Sequence, residues 1–379
     1  MIAIDRGEEP DALAEERERR LARAELGQRP RHRDDFTGYA PDEVRKQLCT
    51  QQEQKCAYCE RGVEEEAYPV EHFRPKLGAK SLRWDELPGE DPPREIEKAP
   101  WSVDPDRYWW LAWSWENLFF SCPTCNSQKY KGNRFPLRRG SRELPAMSPP
   151  SADEQALLLD PAEVDPLDHI RFTPDIEGNW RPIGLTAEGR WTISILGLAR
   201  PSLRGHQKRR VEAIQNDHDY TMALEALKRG DGDTARMHWT RAIARLLAPS
   251  MEYLTLTWSV LDGAVPEEVR AQYGLELPRP GKLARRAPRP LLPERPELAG
   301  FPPDLAMRVR GLAPRAEPEE VDALLADICQ HCPTTLEELC AMLRRKDGRY
   351  LKASYLDRLC SGDLPRLAFD AGTKRYSPR

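Results

Sequence analysis

Hydrophobic positions are sparse at the start of the chain and dense in its middle. Residues 8–26 are rich in Ala, Glu and Arg with few apolar positions, which is typical of a solvated helix or a contact arm. Pro41 then predicts the start of a second helix over 42–48. The region 77–107 is rich in Pro, Gly and acidic residues and predicts a surface insertion. Residues 108–120 are densely aromatic.

The next third of the chain changes from a strand pattern to a helical one. A Pro/Ser-rich joint at 141–151 leads into a region, 155–200, that we expect to be rich in strands. Its predicted strands are 170–172 and 180–183 around the turn Glu177-Gly178-Asn179, and the alternating stretch 191–195. Apolar residues then recur at helical spacing. They predict helices over 202–229 and 233–261.

Ten prolines fall between Leu277 and Glu320, which excludes one continuous helix there and predicts a linker or an extended arm. A last compact unit begins near Val321. We expect it to contain three helices and a strand-like end, at 321–330, 335–345, 352–361 and 367–376.

Composition is that of a globular protein, with 39% hydrophobic and 32% charged residues. No apolar run is long enough to cross a bilayer, and the first residues lack the pattern of a signal peptide, so we expect a cytoplasmic protein without a membrane contact. Because the net charge is only −4, any affinity for nucleic acid must come from local basic patches. Such patches lie at 205–210 and between Arg279 and Arg295.

Two C-x-x-C pairs offer a closed metal site. Cys56, Cys59, Cys122 and Cys125 supply the four thiolates of a tetrahedral structural zinc. The alternative is that the four cysteines are simply buried, which the matched spacing disfavours. A four-cysteine zinc has no open coordination position, so by itself it predicts structure and not catalysis.

The segment between the pairs carries residue types that suit proton transfer. Glu71 and His72 adjoin at the end of a short strand-prone run, Asn117 follows, and Asn126 and Lys129 come after the second pair. Each has an ordinary alternative: a histidine held by a hydrogen bond, an asparagine that caps a helix, a solvated lysine. Their ordered combination favours a catalytic site.

This ordered set resembles the HNH nuclease motif. The stretches KCAYCE (55–60), EHFRPK (71–76), WENLFFSCPTCNSQK (115–129) and RFPL (134–137) are similar to the HNH subunit of retron-linked and Septu anti-phage systems, the PtuB-like proteins. LLLDPAEVDPLDHIRF (157–172) and GRWTISILGLARPSL (189–203) extend the resemblance. It covers about 45–215, and the chain departs from it in the 77–107 insertion and the C-terminal region.

The resemblance implies a zinc-stapled ββα-metal core within an α+β fold. His72 would take a proton from water, and Glu71 with Asn126 would bind Mg²⁺ or Mn²⁺, because oxygen ligands suit hard cations. Asn117 would orient His72 or hold the loop against the metal site. Lys129 and Arg74 would contact phosphates. A structural zinc and a catalytic Mg²⁺ or Mn²⁺ are thus both implied, with nucleic acid, most readily DNA, and a partner ATPase.

Other features carry alternatives that the sequence leaves open. The aromatic run 108–115 suits a core better than base stacking. A third pair, Cys329 and Cys332, suits a helix core better than a metal site. The stretch TLEELCAMLRRKDGRYLKASYLDRLCSGDLPRL (335–367) resembles a winged-helix module, with 351–360 as recognition helix and Arg349, Lys352 and Arg358 available to DNA. Winged helices also dock proteins.

The sequence therefore predicts a nuclease with a defined order of segments. These are a charged arm (1–40), an HNH domain with the zinc site (41–150), a β-hairpin and helical region (151–265), a Pro/Arg-rich linker (266–320) and a winged-helix-like domain (321–379). The alternatives are the same chemistry on RNA, such as tRNA, and a non-catalytic zinc and winged-helix DNA-binding protein.

Overall fold

A computed structural model describes residues 1–62, 69–284, 289–361 and 365–379. Helices and small sheets are mixed along the chain, which confirms the predicted α+β class. The helices are α1 (Asp11–Glu25), α2 (Asp42–Gln51), α3 (Pro123–Asn126), α4 (Ala187–Leu196), α5 (Pro201–Gln215), α6 (His218–Lys228), α7 (Gly232–Leu246), α8 (Leu254–Ala264), α9 (Glu267–Tyr273), α10 (Pro303–Gly311), α11 (Pro318–His331), α12 (Leu336–Met342), α13 (Gly348–Leu351) and α14 (Asp357–Ser361).

In the described ranges, the strands form four antiparallel sheets. They are β1 (Val70–His72), β2 (Ala79–Leu82), β3 (Trp101–Asp104), β4 (Leu118–Phe120), β5 (Ile170–Pro174), β6 (Trp180–Gly184), β7 (Thr334–Thr335), β8 (Leu367–Asp370) and β9 (Arg375–Pro378). Three sheets are two-stranded (β1–β4, β2–β3 and β5–β6), and the fourth has the order β7–β9–β8.

Two compact units divide the chain. The first comprises Met1–Pro10 and Gly38–Pro288, and the second comprises Asp11–Thr37 and Arg289–Arg379. The predicted division into five segments is not tested by this grouping and stays a prediction. No helix among the described residues combines the length and the apolar character needed to cross a membrane.

The first unit is built around aromatic side chains. Tyr108, Trp109, Trp110, Trp113 and Trp115 are all buried, so the core interpretation of this run is confirmed and base stacking is excluded for them. The N-terminal segment Met1–Pro10 packs on this aromatic core. Arg6, for example, donates to the carbonyl oxygen of Trp115 and covers the ring of Phe119.

The region 155–200 corrects one sequence prediction. The hairpin β5–β6 is present as predicted, but 191–195 belongs to helix α4. Thr186 begins the helix by accepting a hydrogen bond from the amide of Gly189, and Gly197 ends it at φ +56°. The stretch that alternates as a strand also fits a helix, because Trp191 and Ile195 are four residues apart and both are buried.

The two long predicted helices are each divided in two. The break between α5 and α6 is set by Asp217, whose carboxylate accepts from the amide of Tyr220 and caps α6. The break between α7 and α8 contains Pro249, which has no backbone N–H to continue a helix. The predicted surface insertion 77–107 contains the two-stranded sheet β2–β3.

In the second unit, α1 differs from the solvated helix that was one of the two expectations. It makes buried ionic contacts, as a contact arm would. Its Glu18 is 1% exposed, and its carboxylate pairs with Arg295, Arg310 and Arg344. Because a buried carboxylate is costly without ionic partners, these three arginines hold α1 against the C-terminal part of the chain. The predicted linker also contributes helix α10.

The core of the second unit lies among α11, α12, the α13–α14 helix and the three-stranded sheet. A π-helical turn (Lys352–Leu356) joins α13 to α14, so the predicted third helix is continuous but irregular. The buried side chains of this core include Leu325, Ile328, Leu339, Leu356 and Leu367. Helices beside a small sheet agree with a winged-helix-like module, and that assignment stays a prediction.

Candidate metal centre and active site

The four predicted cysteines meet at one point in the first unit. Their sulfur atoms all lie within 4.8 Å of one another, and all four residues are buried. Tetrahedral coordination with Zn–S bonds of about 2.3 Å places sulfurs about 3.8 Å apart. Cys59 Sγ and Cys122 Sγ are 3.8 Å apart. The cluster therefore fits a zinc ion, and no other group of three or more His, Cys, Asp or Glu ligands occurs in the described ranges.

Local backbone hydrogen bonds arrange the two pairs before any metal is considered. Cys122 caps α3, its sulfur accepting from the amide of Cys125 at 3.4 Å, and Pro123 occupies the first helical position. The amide of Cys122 donates to Cys56 Sγ at 3.3 Å. These N–H···S contacts favour thiolates, because each donor stabilises negative charge on sulfur.

One charged side chain also reaches the cluster. Arg200, at the start of α5, donates from Nη2 to Cys125 Sγ at 3.4 Å and is buried. Burial opposes its charge, but the sulfurs of Cys125, Cys59 and Cys122 outweigh that effect and raise the pKa of Arg200. Sequence analysis did not single out Arg200, although it lies within the quoted stretch 189–203.

The pairing of β1 with β4 places the acid and the imidazole beside the second cysteine pair. Glu71 is opposite Phe119, and His72 is opposite Leu118. Because β4 leads directly into Cys122 and α3, the order is strand, strand, helix, with Glu71 and His72 on β1 and Asn126 at the end of α3.

His72 is buried and fixed at one ring nitrogen. Its Nε2 lies 3.0 Å from the carbonyl oxygen of Ala112, and the ring of Tyr39 meets it edge-on with centroids 4.6 Å apart. Burial lowers the pKa of His72 well below its ordinary value, and the positive charges of Lys76 and Lys131 act in the same direction. Because a carbonyl only accepts, Nε2 carries the hydrogen, and the neutral ring holds a lone pair on Nδ1.

Asn117 fixes the segment that follows His72. Its Oδ1 accepts from the amide of Arg74 at 2.7 Å, and its Nδ2 donates to the carbonyl oxygens of Arg74 and Leu111 at 3.0 Å. The carbonyl oxygen of Asn117 also accepts from the amide of Phe73. The side chain is fully buried and these hydrogen bonds all go to backbone atoms, which agrees with the predicted role of holding the loop.

Glu71 has a buried ionic partner that sequence analysis missed. Lys131 Nζ lies 2.5 Å from Glu71 Oε1 and donates to the carbonyl oxygen of His72 at 2.6 Å. Burial raises the pKa of Glu71, and the Lys131 ammonium opposes the shift. Lys131 thereby ties the chain after α3 to β1. The only sequence signal is that it lies two residues beyond Lys129.

Arg74 is engaged elsewhere. Its Nε lies 2.7 Å from Glu154 Oε2, and Glu154 also accepts from the hydroxyl of Tyr108. Both charged residues are buried. Its guanidinium is thus already paired with a carboxylate, and its predicted contact with phosphate remains a prediction.

Asn126 and Lys129 have the most open surroundings of the predicted site residues. Asn126 ends α3 and is half-buried, and no hydrogen bond joins it to Glu71 or His72. Lys129 is exposed, with Nζ 5.8 Å from the centroid of the Tyr130 ring. Neither side chain is committed to a carboxylate within the described part of the chain, so both remain available to a ligand.

The remaining candidates outside the first site are mostly engaged. Cys329 is fully buried, and burial raises the pKa of its thiol to about 12, which agrees with the core interpretation. Arg358 pairs with Asp322 and Lys352 with Asp357, and Arg349 is largely exposed.

The basic stretch in the proline-rich segment is also partly paired. Arg279 contacts Asp165 and Asp168, and Arg295 contacts Glu18. Arg285 and Arg286 lie outside the described residues.

A known protein is similar to part of this chain. No family model matches the chain, and no solved structure matches it. Septu protein PtuB of Bacillus mycoides (strain KBAB4) is 35% identical over 138 residues, which are 36% of this chain and 41% of the relative. The match thus spans about two fifths of the relative's length. The PtuB-like relationship predicted from the motifs is confirmed.

Proposed function

We propose that the chain is a metal-dependent endonuclease of the HNH type that hydrolyses phosphodiester bonds in DNA. The observation that carries the proposal is the state of His72. The imidazole is buried, which lowers its pKa and favours the neutral form, its Nε2 is held by a backbone carbonyl, and the adjacent residue is a carboxylate. A neutral, oriented histidine is what a general base for water requires.

The residues divide the work as follows. His72 accepts a proton from water at Nδ1, and the hydrogen bond from Nε2 to Ala112 keeps the ring oriented as it does so. Asn117 holds the loop that follows His72. Lys129, which is exposed, contacts the phosphate.

Glu71 and Asn126 would hold Mg²⁺ or Mn²⁺, which when bound supplies positive charge beside the leaving oxygen. The donors suit a hard cation, because a carboxylate and a side-chain amide both offer oxygen. Glu71 Oε1 is paired with Lys131, so a cation would bind the other carboxylate oxygen, and the Asn126 side chain makes no hydrogen bond among the described residues. The buried Arg74–Glu154 pair supports a positioning role for Arg74, because it fixes the segment next to His72.

The biological setting is proposed from the resemblance and from the relative. Septu protein PtuB is the matched relative, and the motifs resemble the HNH subunit of anti-phage systems. The chain would therefore act in the cytoplasm as the effector of a defence system against phage DNA, with an ATPase as protein partner. The four-cysteine zinc would stabilise the fold around the cutting site.

Cleavage of plasmid DNA by the purified chain tests the proposal. With Mg²⁺ or Mn²⁺ we expect nicking or cutting, and His72→Ala should slow it by roughly 10²- to 10⁴-fold, as expected for loss of a general base. His331→Ala, at an exposed histidine of the second unit, is the matched control. Full activity of the His72 variant would refute the general base. Cleavage of RNA alone would change the substrate and keep the chemistry.

A further inference from the structure

Arg200 is a buried cation in contact with a sulfur of the cysteine cluster. Its Nη2 lies 3.4 Å from Cys125 Sγ, and only 7% of the residue is exposed. Its guanidinium carbon lies 5.0 Å from the centroid of the Tyr130 ring, so the charge also faces an aromatic surface. Among the described residues, no other side-chain cation hydrogen-bonds to any of the four sulfurs.

The contact between Arg200 and Cys125 would offset the negative charge of a four-cysteine site that holds zinc. Four thiolates and one Zn²⁺ leave a net charge of about −2. In a buried site such a charge is costly unless hydrogen-bond donors and a counter-charge are close. Backbone amides of Cys122 and Cys125 supply two N–H donors, and Arg200 supplies the positive charge.

The chain around Arg200 is built to bring it there. Gly197 ends α4 at φ +56°, and a Cβ atom at this position would lie 2.2 Å from Tyr130 Cε1. Only glycine allows the turn between α4 and α5 to approach the segment after α3 so closely. Arg200 follows three residues later, and Pro201 then occupies the first position of α5.

We infer that Arg200 is the counter-charge of the four-cysteine zinc site and couples zinc binding to the position of the α4–α5 turn. Arg200 is a positioning residue in this role, because it acts through Cys125 and does not bind the metal. The inference rests on the zinc of the proposed function and not on the cleavage reaction. It predicts that the turn between α4 and α5 is held in place by the occupied zinc site.

Arg200 could also act only as a cap of helix α4. Arg200 Nη1 also donates to the carbonyl oxygens of Leu196 at 2.8 Å and Gly197 at 3.4 Å, at the end of α4. A cation that only caps α4 would contribute to stability equally with and without zinc. A counter-charge would change the affinity for zinc itself.

Zinc affinity of the full chain, measured by competition with a chromophoric chelator, tests the inference. Arg200→Gln should bind zinc roughly 10- to 100-fold more weakly, as is typical when a partner of a metal ligand is lost. Arg200→Lys, which keeps the charge, should lose less. Lys208→Gln, two turns further along α5 and exposed, is the control and should match the wild type.

Melting temperatures recorded with zinc and with chelator complete the experiment. The counter-charge predicts that Arg200→Gln narrows the gap between the two temperatures, whereas a helix cap predicts an equal fall in both. Unchanged zinc affinity in Arg200→Gln would overturn the role of Arg200 alone. A wild-type chain that binds no zinc would overturn the zinc site and the role of Arg200 together, independently of any cleavage assay.

Discussion

The four-cysteine cluster and the Glu71–His72 pair lie in the same unit but are held by different kinds of contact. The sulfurs of the cluster are placed by hydrogen bonds from the amides of Cys122 and Cys125 and from Arg200, but four thiolates repel one another unless a cation joins them. Glu71 and His72 are held by the protein itself, through Lys131 and the carbonyl oxygen of Ala112. On the proposed zinc site, the four cysteines would gain stability from a metal as well as from these hydrogen bonds, whereas the contacts of Glu71 and His72 form without one.

Removing one cysteine should have the largest effect. Cys125→Ser should abolish tight zinc binding and unfold much of the first unit, because zinc contributes about 10 kcal/mol or more in small zinc-bound folds. That is comparable with the total stability of a typical domain, about 5–15 kcal/mol. Elemental analysis and circular dichroism measure both effects. Cys340→Ser, at a half-buried thiol of the second unit, is the control. Equal losses of bound zinc and of folded structure in the two variants would refute the zinc site.

Removing the ammonium group beside Glu71 should lower stability strongly, although by less than removing a cysteine of the cluster. Lys131→Met leaves a buried carboxylate unpaired, which costs about 3–5 kcal/mol. Chemical denaturation of the full chain measures the loss. Lys129→Met, at the exposed lysine two residues earlier, should change stability by less than about 0.5 kcal/mol.

The double variant Glu71→Gln, Lys131→Met sharpens this comparison. Removing both charges should recover part of the stability that Lys131→Met loses, because no ion is then buried alone. If the double variant is less stable than Lys131→Met, the pair is not the source of the effect.

Local patterns explain what the sequence predicted and what it missed. The cysteine pairs and the Glu71–His72 step were found because their residues are close in sequence and their chemistry fixes the spacing. Helix α4 was mistaken for a strand because the alternation of 191–195 fits both structures, and the deciding caps, Thr186 and Gly197, lie outside it. Lys131 was missed because its partner is 60 residues away and leaves no local pattern.

Loss of the Asn117 side chain should lower stability by less than loss of Lys131. Asn117→Ala removes the side-chain partner of the Arg74 amide and of the Arg74 and Leu111 carbonyl oxygens, and we expect a total loss of about 1–3 kcal/mol because these groups are uncharged. Since the loop follows His72 directly, cleavage should also fall. Denaturation and plasmid cleavage measure the two effects. Asn179→Ala, at a half-buried turn of the β5–β6 hairpin, should leave both nearly unchanged.

The smallest effect is expected where the same ion-pair chemistry lies at the surface. Arg358 pairs with Asp322, but its side chain is 51% exposed. Water screens such a pair, so Arg358→Ala should lower stability far less than Lys131→Met does. A loss as large as that of Lys131→Met would show that exposure does not decide the strength of these pairs. If Arg358 contacts DNA, the Arg358→Ala chain will bind DNA more weakly at low salt, while its free energy of unfolding hardly changes.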